Sequence, residues 1–321
     1  MKTIRITLLS LMVVLSGTSF GDEDTDANAE ESPVFTTPME TVDNTHTSLS
    51  EMIETTARRI DQFFGNDRAF QESNETSLQI SLDYISEEDN VAQFESRVRG
   101  KLVLPGTERR LRLIVESDPE ELDPEAPGRN PIDALETTNN YIIGVEGERL
   151  RGDWQLRPSL GVKPGMSPQL YGRFRAIRYF DLDKWVARFQ GTAAWFSADG
   201  KSLSATTDFD RRINDKLLFR SSTGLRWNID DEVTDASQVF TLYQRMASKA
   251  KLAYDIGVVG NDDTHWRVTD QFVRLRYRRL VYKNWAFMEI QPMVSWPEDN
   301  DFHEELSLLV RLELNFGSHY R

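Results

Sequence analysis

Between Glu304 and Phe316 the sequence alternates almost without a break. Leu306, Leu308, Val310, Leu312, Leu314 and Phe316 are apolar, while Glu305, Ser307, Arg311, Glu313 and Asn315 between them are polar, with Leu309 the one departure. Successive side chains of a β-strand point to opposite faces, so this stretch is a ribbon with one apolar face and one wet face. An α-helix would scatter the same residues around its circumference. The chain must therefore offer an apolar medium to one face of this strand and a polar one to the other.

The pattern recurs upstream. From Glu75 to Phe316, a span of 242 residues, we count about fourteen such ribbons, with twelve as the alternative count. That is roughly 17 residues per ribbon with its connection, against about 9–11 for a tilted membrane-spanning strand. Clear apolar registers include Leu78, Ile80, Leu82 and Tyr84; Trp154, Leu156, Pro158, Leu160 and Val162; and Met288, Ile290, Pro292, Val294 and Trp296. Leu252, Ala253, Tyr254, Ile256 and Val258 are read as another, and the register around Phe240 and Leu242 is ambiguous.

Alternation alone does not say which face points outward: a water-soluble barrel keeps its apolar face inside, a membrane barrel outside. Three features favour the membrane. Aromatics gather at ribbon ends as interface girdles would, among them Tyr84, Phe94, Tyr141, Trp154, Trp185, Trp195, Trp227, Trp296 and Phe316. The polar register holds long charged residues of both signs. The connections alternate between an acidic set (Glu87–Asn90, Asp118–Asn130, Asp230–Asp235, Asn261–Asp263, Glu298–Asp301) and a short, often basic set (Gly106–Arg110, Glu148–Gly152, Arg211–Lys216, Ser248–Lys251, Tyr282–Lys283). A soluble periplasmic all-β protein is the rival reading.

The final strand, closing on Phe316, resembles the C-terminal signal strand of bacterial outer-membrane β-barrel proteins, although Gly317 to Arg321 follow the aromatic here. The resemblance implies an all-β, antiparallel up-and-down transmembrane barrel in the outer membrane of a Gram-negative cell. Its partners would be outer-membrane lipid and, during biogenesis, the barrel assembly machinery.

Composition narrows the function classes. The 321 residues carry a formal charge of −14 and an isoelectric point near 4.9, which argues against a nucleic-acid partner. With no cysteine there is no disulfide framework, thiolate metal site or cysteine nucleophile. No apolar run of 18 or more residues follows the N-terminus, so helical membrane spans are not expected. No phosphate loop, zinc motif or dinucleotide fingerprint is present, and no cofactor is expected.

The N-terminal region divides by composition. Lys2 and Arg5, the apolar run Leu8–Leu15 and the small residues around Ser19–Gly21 read as a signal peptide over 1–21. Residues 22–47 are acidic and poor in large apolar side chains, the composition of a disordered tail. Over 48–70, Ser48 and Glu51 form a capping box, and Leu49, Met52, Ile53, Ala57, Ile60, Phe63 and Phe64 recur at helical spacing, giving a short amphipathic helix and linker. The helix has three possible seats: within the barrel, against its rim, or on a periplasmic partner reached through 22–65. Residues 75–321 form the barrel.

The feature closest to chemistry is a basic inner register: Arg97, Arg99, Lys101, Arg157, Arg173, Arg175, Arg188, Arg220, Arg226, Arg274, Arg276 and Arg278. Fewer acids share it: Asp83, Glu95, Glu116, Glu146, Asp208, Asp255, Glu289 and Glu313. A net positive lumen focuses potential that favours anions. If instead these charges pair across strands, they fill the interior and leave no path. The expected function is a pore for small solutes, anions among them. The alternative is a plugged structural barrel that recruits a periplasmic partner. A third reading places hydrolytic chemistry at the rim, where Asp262, Asp263 and His265, and Asp299, Asp301 and His303, sit in successive acidic connections, as Asp and His do in the ten-stranded omptin proteases. Loop carboxylates holding a divalent cation are a further reading of those connections. No catalytic residue and no metal ligand is assigned, and no enzymatic activity is expected.

Overall fold

A computed structural model describes residues 57, 59–61, 63–64, 76–88, 91–104, 111–117, 141–165, 167–198 and 200–317. The expected signal peptide, the acidic tail, most of the 48–70 segment and the 118–130 connection lie outside these residues.

The described chain is a meander. Its strands are β1 (Ser77–Glu87), β2 (Gln93–Val103), β3 (Leu111–Ser117), β4 (Tyr141–Gly147), β5 (Arg149–Arg151), β6 (Trp154–Lys163), β7 (Gln169–Leu182) and β8 (Trp185–Phe196). There follow β9 (Gly200–Arg212), β10 (Leu217–Asn228), β11 (Val233–Ala247), β12 (Ala250–Asn261), β13 (Arg267–Tyr282), β14 (Ala286–Ser295) and β15 (Glu305–Gly317). Neighbours in sequence pair antiparallel, and β1 pairs with β15 from Ser77–Gly317 to Glu87–Ser307, so the sheet closes on itself. Both β4 and β5 pair with β6 in one unbroken register, Glu146 opposite Ser159 and Arg149 opposite Leu156, so they act as a single stave. The result is a closed fourteen-stranded barrel with no free strand edge to protect.

Two kinds of connection separate the ends. The end carrying Ser77 and Gly317, here the turn end, has two-residue hairpins at 152–153, 183–184 and 248–249. Asp183 (φ 59°) and Gly152 (φ 58°) take the left-handed conformation that lets so short a turn follow the twist of its strands. The opposite, loop end carries longer connections, such as 262–266 and 296–304.

The exterior identifies the solvent. Leu82 is 53% exposed while its neighbour Asp83 is 1% exposed; Ile256 is 57% exposed and Asp255 2%. Leu102, Val145, Leu160, Phe174, Val273 and Leu312 are exposed in the same way around the ring. Large apolar side chains facing outward on staves throughout the ring, with carboxylates and guanidiniums enclosed, form the inside-out pattern of a barrel dissolved in lipid. The chain is a transmembrane β-barrel, the architecture of the bacterial outer membrane.

Three register details differ from the sequence reading. Ala253 is fully buried and faces inward, so only Leu252, Tyr254, Ile256 and Val258 of that run face lipid. Phe240 lies outward, opposite Ile256, with Thr241 inward opposite Asp255, which resolves the ambiguity in β11. Glu148 to Arg151 are not a connection: they continue a stave, and Glu148 joins the interior.

Candidate functional site: the barrel interior

The inner wall is built by the polar register of each strand, and it is crowded. Arg112, Arg157, Arg220 and Arg278 are all less than 2% exposed. Arg97, Lys101, Arg173, Arg175, Arg188, Arg274 and Arg276 are also buried, and Arg99 and Arg226 are half-buried. Among the described residues, twelve buried Arg and Lys face ten buried Asp and Glu. A guanidinium removed from water at this depth persists only with partners of opposite charge.

Those partners form clusters around the ring. Across β3, the β4–β5 stave, β6 and β7, Glu148 accepts from Arg112 (2.6 Å) and Arg157 (2.9 Å), while Glu146 lies 3.4 Å from Arg112 and 3.7 Å from Arg175. Glu116 takes Arg173 at 3.4 Å. Across β11–β13, Asp255 accepts both Nε (2.8 Å) and a terminal nitrogen (3.0 Å) of Arg276, Nε of Arg274 (2.9 Å), and the Thr241 hydroxyl (2.8 Å). Arg278 bridges Glu289 (2.9 Å) and Glu313 (3.0 Å) on the two strands beyond it. Asp83 is clasped by Arg311 through two bonds, 2.7 and 3.1 Å, and also by Arg97. Arg112, Arg311, Glu148 and Asp210 were absent from the sequence-derived inner set. Arg112 stands between outward Leu111 and Leu113, so alternation carried the signal for it.

A helical turn at residues 57, 59–61, 63 and 64 packs against the inner wall near the turn end. Asp61, 1% exposed, accepts two bonds from Arg220, 2.7 and 3.0 Å, and Arg220 donates two more to Asp210, 2.6 and 3.1 Å. Ala57, Ile60 and Phe64 form one buried cluster with Leu218, Tyr243 and Ala253. Phe64 sits 5.4 Å from the Tyr243 ring, with the Arg276 guanidinium 5.2 Å from its own. Phe63 meets Phe287 edge-on at 5.5 Å, and Lys251 lies 4.4 Å from the Phe63 ring while donating to the Arg59 carbonyl at 3.2 Å. The segment thus occupies the β10–β14 side of the turn-end mouth.

Toward the loop end the interior turns apolar. Ile85, Val259, Phe272, Met293 and Leu309 form one buried cluster, and Ile142, Tyr171, Ala194 and Phe196 another. Aromatic rings lie over glycines there: a Cβ at Gly257 would collide with Phe272, and one at Gly144 or Gly161 with Tyr171. Alternation hides these residues, because it marks the inner register as polar.

The aromatics singled out in the sequence fall at strand ends. Trp154, Trp185 and Phe316 stand at the turn end; Tyr84, Phe94, Tyr141, Trp195, Trp227 and Trp296 stand toward the loop end. At the loop end, His265 contacts the neighbouring Thr264 hydroxyl (3.1 Å), and the His303 ring nitrogen lies 2.8 Å from the Asn300 carbonyl. Among the described residues, no group of three or more His, Cys, Asp or Glu is arranged to hold a metal.

The chain is similar to several solved structures of outer-membrane proteins. OprB of Pseudomonas putida is similar at 8% identity and a TM-score of 0.48, covering 79% of this chain and 97% of that one. A loop-deletion mutant of OmpT, an outer membrane protein of Vibrio cholerae, is similar at 9% identity and 0.45, covering 75% and 98%. The outer membrane channel DcaP of Acinetobacter baumannii is similar at 8% identity and 0.43, covering 75% and 96%. No protein-family model matches the chain, and no curated protein does.

Proposed function

We propose that this outer-membrane barrel is a channel for small polar solutes, narrowed at the turn end by its own helical segment. The observation that carries the reading is the Asp61–Arg220–Asp210 cluster, in which two hydrogen bonds tie the segment to Arg220 and two more hold Arg220 to Asp210 on the wall. Fourteen strands enclose more space than side chains alone need to fill, and here a piece of the chain takes part of that space. The near balance of buried cations and anions supports weak ion selectivity rather than a strong preference for anions. The strand-end aromatics fit the two lipid interfaces, with the turn end toward the periplasm.

Planar-bilayer recording on the folded full chain and on a chain lacking residues 48–65 tests this. The full chain should show small or intermittent conductance and the deletion a severalfold larger, steady one with little charge preference. The depth at which Arg112, Arg157 and Arg278 are buried favours a second reading, a filled accessory barrel that recruits a periplasmic partner through 22–65. Silence from both proteins, shown to be folded and inserted, would move the assignment there.

A further inference from the structure

The inner wall is not uniformly sealed. Asp83, Arg112, Arg157, Arg278 and Glu313 show at most 2% exposure, but the inner register changes character in the middle of β8–β10. There Gln190, Thr192, Ser204, Thr206 and Ser222 are half-buried and reached by solvent. Register places them side by side: Gln190 pairs with Thr206, and Thr192 with Ser204. On the next strand Thr206 pairs with Gly224, and Ser222 with Asp208. All of these side chains are neutral, and each carries a hydroxyl or an amide.

The charges bordering this strip are engaged. Arg188 contacts Asp208 at 3.3 Å and donates to the Gln190 amide oxygen at 2.7 Å. The Ser222 hydroxyl donates to Asp208 at 2.8 Å. Arg226 donates to the Asn228 side chain at 3.1 Å. A solute against this wall therefore meets mostly short neutral donors and acceptors, beside charged groups that already hold hydrogen-bond partners. The described residues of the helical segment pack on the β10–β14 side.

We infer that the β8–β10 strip of Gln190, Thr192, Ser204, Thr206 and Ser222 is an off-axis solute site for small uncharged polyhydroxylated molecules. It rests on the channel reading and names the solute class of that channel. Hydroxyl and amide groups exchange hydrogen bonds with sugar-type hydroxyls in either direction. An anion would have to shed water and compete with the partners already bonded to the neighbouring guanidiniums of Arg188 and Arg226.

The chain has no native cysteine, so single-cysteine variants report accessibility without background. In the folded full chain in vesicles, Thr206→Cys and Ser204→Cys should react with a membrane-impermeant thiol reagent at least tenfold faster than Ser81→Cys and Gln291→Cys, whose parent residues are 6% and 4% exposed. A neutral disaccharide at high millimolar concentration should slow labelling at Thr206→Cys severalfold, and gluconate at equal concentration should not. Equal labelling of the four variants overturns the location. Protection by neither solute, or by gluconate as strongly, overturns the solute class. Labelling and protection need no through-current, so a silent bilayer recording overturns the channel while leaving these results to decide the site.

Discussion

Asp61 and Arg220, 159 residues apart in sequence, meet through two hydrogen bonds inside the barrel. Asp61→Ala removes that hold but leaves Arg220 paired with Asp210. The barrel should persist while the helical segment loses roughly 1.5–3 kcal/mol of attachment, the net worth of hydrogen bonding to a charged group. Limited proteolysis should then cut within 48–65 faster than in the parent protein.

Arg220→Met should be worse for the barrel than Asp61→Ala. It takes away the guanidinium held between Asp61 and Asp210, both 1% exposed, and removing one partner of a buried ion pair costs about 3–5 kcal/mol. Urea unfolding of the refolded proteins should rank the midpoints parent, Asp61→Ala, then Arg220→Met.

Depth should decide the worth of an arginine. Arg278 is buried between Glu289 and Glu313, so Arg278→Ala should cost several kcal/mol. Arg178 pairs with Asp153 at 2.9 Å, but these side chains are 33% and 75% exposed, so losing that pair should cost at most about 1 kcal/mol. The same urea titration compares them.

Gly257→Ala places a methyl against the Phe272 ring, which is 2% exposed and clusters with Ile85, Val259, Met293 and Leu309. Overpacking of this kind costs about 1–3 kcal/mol. Gly257→Ala combined with Phe272→Leu should cost less than the two changes summed, because the ring is what the methyl strikes.

On the outer face, Ile256→Arg should destabilise the folded barrel in lipid by about 2–4 kcal/mol if Ile256 stands near the bilayer midplane, whereas Leu182→Arg at the turn end should cost about 0–1 kcal/mol. Equal effects would place the apolar band elsewhere on the barrel.

Much of this fold was legible because a two-residue period carries across every stave. Leu306 to Phe316 announced both the strand and its lipid face, and fourteen such ribbons closed as counted. The period failed where both faces are apolar: Ala253 reads as lipid-facing beside Leu252 and Tyr254, yet it turns inward under the helical segment. It also failed at Glu148, where a polar residue among Gly147, Arg149 and Gly152 looks like a turn, although the stave continues. The basic inner residues could be named from sequence, but their partners could not. Pairing depends on which strands meet and at what stagger, and that is how Arg278 reaches Glu313 two strands away while Asp61 reaches Arg220 across half the chain.

Closure has a consequence for how the molecule is made. The ring shuts only when β15, the last strand of the chain, reaches β1, the first, with Ser77 opposite Gly317. The helical segment lies inside that ring and is joined to β1 by the dozen residues after Phe64. It must stand inside the curling sheet before its two ends meet, or thread the turn-end mouth afterwards. Enclosure makes its occupancy a matter of timing as well as affinity: a chain whose seam zips early leaves the segment to thread the mouth, and one whose seam zips late folds around it.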